Sequence, residues 1–186
     1  MEKLLKWILN LRLDEMKSLL DMMEASGDDL PDIYCDMDQV LCNFLGGAEK
    51  AIGVPFPQAD KDGRWNAIRD TKDFWATLDW MPGAKRLYSF IQKYDTHILS
   101  AYSDRDDSSR PGKMKWLGKN TKIRRGNINL VKRADKQKYA TTDGKPNILI
   151  DDYKKNIVEW ESKGGIGVYH TEVGKTIAEL KRLGFK

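Results

Sequence analysis

A chain of 186 residues with 40% hydrophobic and 32% charged side chains can bury one core beneath a well-charged surface, so it reads as one domain with a modest insertion. Its net charge of +4 suits phosphorylated ligands but is too small to argue for a nucleic-acid partner. No apolar run approaches the ~20 residues of a membrane span, no leader peptide opens the sequence, and Cys35 and Cys42 lack a metal-ligand spacing, which together point to a soluble protein of the reducing cytoplasm.

In chain order, Leu4, Ile8, Leu11, Met16, Leu19, Leu20 and Met23 recur at three- and four-residue steps, which predicts a helical extension over residues 1–30 packed on the core. Ile33-Tyr34-Cys35 then reads as a short buried strand that ends in Asp36-Met37-Asp38. After Phe44 a helical stretch to Ile52 leads into Val54-Pro55-Phe56-Pro57. From there to Pro82 the chain loses strand patterning and becomes rich in aromatics (Trp65, Phe74, Trp75, Trp80), so that about forty residues separate the first strand from the next helix. That stretch is too long for an ordinary connection and predicts a small helical cap over 45–82, placed above the C-terminal ends of the strands as a lid. Leu87, Phe90, Ile91 and Tyr94 stripe a helix from Ala84 to Tyr94, and Thr96 to Ser100 is a second strand. Pro111 starts a helix carrying Lys113, Trp116 and Leu117. Strands follow at Ile128–Val131, Asn147–Ile150 and Ile166–Tyr169, with helical patterns between them and at the end. Alternating strands and helices imply an α/β fold, a Rossmann-like parallel sheet covered on both faces, with residues 31–44 and 83–186 as its core domain.

In such a sheet the strand ends are neighbours, so Asp36, Asp38, Ser100, Asp151 and Asp152 converge on one edge, where open α/β sheets bind their ligands. Carboxylates crowded there repel one another and call for a cation. Mg²⁺ is the natural one, because it takes oxygen ligands and shares a substrate phosphate. Asp36, Asp38, Asp151 and Asp152 are therefore the candidate metal site. Ser100 offers a hydroxyl to phosphate oxygens, and Lys113 and Lys136 offer point charges near helix starts.

The set DMD at Asp36–Asp38, ILS at Ile98–Ser100, Asp135-Lys136 and ILIDD at Ile148–Asp152 resembles the haloacid dehalogenase superfamily of phosphatases. Within it, DMDQVLCNF, Phe74-Trp75 ahead of Pro82-Gly83-Ala84, and Lys113-Met-Lys-Trp-Leu are most similar to the 5′(3′)-deoxyribonucleotidases, over roughly residues 32 to 170. The resemblance implies that Asp36 is a nucleophile forming an aspartyl-phosphate, and that Asp38 is the general acid and then the base. Mg²⁺ would be held by the Asp36 carboxylate, the Asp38 carbonyl and Asp151. Ser100 and Lys136 would bind phosphate with Lys113 assisting, and Phe44, Phe74 and Trp75 would line a nucleoside pocket. Gln39 departs from the family's usual Gly, and the segment Thr141 to Pro146 lengthens the path from Lys136 to the last acidic pair.

The expected activity is thus Mg²⁺-dependent hydrolysis of (deoxy)ribonucleoside monophosphates, with a small-molecule nucleotide as the partner and no membrane. Two rivals stand beside it. One is a 3′-phosphatase acting on nucleic-acid ends, with the basic segment from Lys113 to Lys138 as its strand-binding surface. The other is a non-catalytic binding protein that kept the fold. The bland reading of Phe74 and Trp75 is that they fill the core of the insertion.

Overall fold

The computed structural model describes residues 30–186, so the helix expected within 1–30 lies outside the described residues. Five parallel strands form the central sheet in the order β3-β2-β1-β6-β7: β1 Ile33–Cys35, β2 His97–Ala101, β3 Ile128–Val131, β6 Ile148–Asp151 and β7 Ile166–Tyr169. β4 (Thr141–Thr142) and β5 (Lys145–Pro146) make a separate antiparallel hairpin. The helices are α1 Phe44–Ile52, α2 Lys61–Asp70, α3 Ala84–Ile91, α4 Ser109–Asn120, α5 Lys154–Glu161 and α6 Val173–Arg182. The α/β reading of the sequence is correct.

The strands are apolar at nearly every position because both faces are covered, and alternation sorts their side chains into two cores. Ile33, Cys35, Ile98, Ile148 and Ile150 join the larger core, which includes Leu87 and Ile91 of α3, Trp116 and Leu117 of α4, and Ile177 and Leu180 of α6. Tyr34, Leu99 and Leu149 join the smaller core with Ile157 and Trp160 of α5. β1 pairs with β2 on one side and β6 on the other, so the strand order reverses at β1 and opens a crevice at its C-terminal end.

The insertion between β1 and α3 contains α1, α2 and a 3₁₀ turn at Phe74–Ala76. Asn43 and Asp60 cap its two helices, each side chain accepting from a glycine N–H three residues on (2.9 and 2.7 Å). The chain enters and leaves it side by side, since Asn43 N–H donates to the Asp79 carbonyl and Met81 N–H to that of Leu41, both at 2.8 Å. Indole N–H groups fasten the insertion to α4: Trp116 donates to the Leu78 carbonyl (2.7 Å) and Trp80 to Asn120 Oδ1 (3.1 Å).

Element ends differ from the sequence reading for local reasons. α4 begins at Ser109, ahead of Pro111, because proline is tolerated throughout a first turn. α3 stops at Ile91, whose carbonyl is taken by the Thr96 hydroxyl at 2.6 Å. Arg133–Tyr139 is a 3₁₀ helix.

Candidate active site

Two clusters of charge occupy the crevice, each built around a buried lysine. At the β1–β6 side, Asp36 Oδ1 accepts from the Met37 backbone N–H (2.7 Å). The Lys136 ammonium lies 2.9 Å from Asp36 Oδ2 and 2.7 Å from Asp151 Oδ2. Asp151 is fully buried at the end of β6 and also accepts from the Tyr153 N–H (2.8 Å) and the Asn156 amide (3.1 and 2.9 Å). Arg133 in turn donates to Asn156 Oδ1 (3.0 Å) and Glu159 (2.7 and 3.3 Å), which fixes the amide with its N–H group toward Asp151.

Asp36, Asp151 and Asp152 can each offer one oxygen to a common centre, with those atoms within 4.8 Å of one another. Hard carboxylate donors at that spacing fit Mg²⁺. Burial, then the neighbouring Asp36 and Asp151 charges, push Asp152 up to about 7. Asp151 is raised as well, by burial and then Asp36, against the lowering effect of Lys136. Burial works to lower Lys136, but Asp36 and Asp151 outweigh it and hold the ammonium above its ordinary value.

On the β1–β2 side, Lys113 has no exposed surface and donates to Asp38 Oδ2 (2.7 Å), Ser100 Oγ (2.9 Å) and the Ala101 carbonyl (2.7 Å). The Cys42 thiol faces the other Asp38 oxygen at 3.5 Å. Asp38 therefore stands apart from the gathered carboxylates. Sequence alone surrounds it with acids, whereas its charged neighbour is the Lys113 ammonium.

Phe44, Phe74 and Trp75 pack on one another, and the Trp75 ring lies over Lys113. Phe44 and Trp75 are stacked (ring centres 5.3 Å apart, planes 14°), and Phe74 meets both edge-on. Phe74 and Trp75 are buried while Phe44 is half-buried, and Lys113 Nζ lies 5.3 Å from the Trp75 ring centre. Much of the aromatic content of the insertion thus serves its own packing.

Gln39 adopts the left-handed conformation (φ 57°), which glycine takes without strain. Its side chain accepts from the Leu45 N–H (2.9 Å), which gives an unpaired donor of the first turn of α1 a partner.

Asn156 and Arg133 were not singled out from the sequence. Asn156 left a signal, a polar side chain next to Ile157 on the buried stripe of α5. Arg133 left none, since its partners lie 23 and 26 residues away.

No protein-family model matches the sequence, and no curated protein does. Solved structures do. A hydrolase from Streptococcus pneumoniae TIGR4 superposes with TM-score 0.50 at 12% identity, covering 82% of this chain and 98% of that one. A hydrolase from Pseudomonas syringae gives 0.48 at 16% identity, over 83% and 90%. The first likeness establishes a shared α/β fold over most of the chain.

Proposed function

We propose that the protein is a Mg²⁺-dependent phosphomonoesterase of the haloacid dehalogenase type, hydrolysing (deoxy)ribonucleoside monophosphates through an aspartyl-phosphate. The observation that carries this reading is the Asp36 carboxylate, fixed by the Met37 N–H and Lys136 and close enough to Asp151 and Asp152 to share a cation with them. The fold it shares with a chain described as a hydrolase agrees with it.

In this reading a carboxylate oxygen of Asp36 bonds to phosphorus as the bond to the leaving oxygen breaks, and Asp38 gives that oxygen a proton. Asp38 then takes a proton from water, which attacks phosphorus and frees Asp36 and inorganic phosphate. Asp36, Asp151 and Asp152 would hold Mg²⁺, which would supply positive charge against the phosphoryl oxygens. Lys136 has two acceptors and three N–H donors, so one donor is spare for a phosphate oxygen. Ser100 accepts from Lys113 and keeps its own O–H to donate.

The strand-binding rival finds less support. Lys113 and Lys136 are buried in the crevice, while Lys122, Arg124 and Arg125 precede β3 at the opposite edge of the sheet. The basic segment is therefore not one surface leading to Asp36. The test is phosphate release from deoxyribonucleoside and ribonucleoside monophosphates and from 3′-phosphorylated oligonucleotides. Release from the mononucleotides is expected with Mg²⁺, to be silenced by chelation and poorly restored by Ca²⁺. No release from any of them with Mg²⁺, or full activity in excess chelator, overturns the reading.

A further inference from the structure

One buried acid has no part in the chemistry above. Asp106, in the loop between β2 and α4, is 4% exposed, and no ion pair among the described residues involves it. A carboxylate is costly to bury without a cation. Its partners are neutral: Oδ1 accepts from the Ser108 N–H (2.9 Å) ahead of α4, and Oδ2 from the Trp75 indole N–H at 2.6 Å. The second bond ties the core loop to the insertion across 31 residues of sequence.

Trp75 is itself the roof over Lys113. Its ring lies within cation–π reach of that ammonium, and the 3₁₀ turn carrying it presses on α4 so closely that a Cβ at Gly112 would sit 2.5 Å from Trp75 Cβ. Lys113, the next residue, spends its donors on Asp38, Ser100 and the Ala101 carbonyl. We propose that Asp106 and Trp75 form a buried strut that seats Lys113 against Asp38 and Ser100, so that both are positioning residues for the general acid. Trp75 then acts through Lys113 rather than as a stacking platform for a base. This deepens the phosphatase reading, and its effect on turnover rests on that reading.

The test reads Lys113 directly and needs no turnover. The full-length protein is acetylated with a limiting amine-reactive ester, and peptide mass spectrometry compares Lys113 with Lys136, which is similarly buried but whose two ion-pair partners belong to the other cluster. Asp106→Ala is expected to raise labelling of Lys113 roughly tenfold and leave Lys136 protected. Trp75→Phe, which keeps a ring and removes the N–H, should do the same without touching the start of α4. Asp106→Asn keeps one acceptor where two N–H donors each need one, so its Lys113 labelling should fall between wild type and Asp106→Ala. Unchanged Lys113 labelling in both Asp106→Ala and Trp75→Phe overturns the strut, as does an equal rise at Lys136, which marks general loosening.

In turnover, Trp75→Phe and Asp106→Ala should lower kcat for nucleotide and for p-nitrophenyl phosphate alike, with KM little changed. A loss confined to nucleotides returns Trp75 to base recognition and overturns the proposal. An inactive wild type with the expected labelling pattern sinks the phosphatase reading and supports the strut.

Discussion

The two lysine-centred clusters use the same residue types to different ends. Around Lys136, two carboxylates share one ammonium, a third acid stands close enough to share a cation with them, and an N–H is left over. Around Lys113, one carboxylate, one hydroxyl and one carbonyl consume every donor. The first cluster is under-neutralised and fits the arrival of a cation and a phosphate. The second is closed and holds its members still. What a lysine does in a site is thus set by how many of its N–H groups are already spent.

The largest effect should come from the open cluster. Asp36→Asn keeps the acceptor for the Met37 N–H but cannot attack phosphorus, and activity should fall by roughly 10⁴-fold or more with the fold intact by circular dichroism. Near-wild-type turnover in a pure preparation would remove Asp36 from that role.

Lys136→Met should follow, with activity down roughly 10³-fold. It also leaves Asp36 and Asp151 facing each other without a cation, so about 3–5 kcal/mol of stability should be lost in denaturant titration. Lys113→Met is predicted to be milder, with kcat down roughly 10²-fold and KM nearly unchanged. A KM effect for Lys113 as large as for Lys136 would erase the contrast between the clusters.

A pH effect comes next. Asp152 is raised from 3.8 to about 7, so between those values the folded state binds more protons than the unfolded one. Stability without metal should therefore fall as pH rises from about 4 to about 7 and level off above. Burial holds His170 below its ordinary 6.5, which acts in the opposite sense, so the readout is the difference between wild type and Asp152→Asn. Melting curves of the two that stay parallel across this range would contradict the assignment.

The smallest effect separates backbone from side chain at Gln39. Gly relieves the positive φ but loses the bond to the Leu45 N–H, and these offset, so Gln39→Gly should change stability by less than about 1 kcal/mol. A larger loss would mean that the tether to α1 outweighs the relief of the backbone.

Much of this was legible in the sequence. Asp36, Asp38, Ser100 and Asp151 follow short apolar runs, and parallel pairing brings such ends together whatever their separation along the chain. The division of labour between Lys113 and Lys136 was not legible, because sequence shows where a lysine sits and not which acceptors it meets. The Asp106–Trp75 bond was hidden for the same reason, since it depends on where the insertion settles. The β4–β5 hairpin is a different case. Asp143-Gly144 is a strong hairpin signal, and both residues adopt positive φ (51° and 78°). Set beside the nucleotidases that the sequence resembles, the segment reads only as extra length, and that signal is passed over.

That hairpin has a practical use. It lies between Lys136 and Asp151, yet among the described residues its two strands pair with each other and with no strand of the central sheet, and Thr141 to Lys145 are all exposed. Its base is closed by the Asn147 N–H on the Ala140 carbonyl (2.8 Å) and the Asn147 amide on the Tyr139 carbonyl (2.8 Å) and the Thr142 hydroxyl (2.8 Å). Length added at its tip is therefore absorbed before it reaches either charged residue. The bond between Asp143 and Gly144 is accordingly the place to graft an affinity peptide or a fluorescent reporter, or to open new termini by circular permutation.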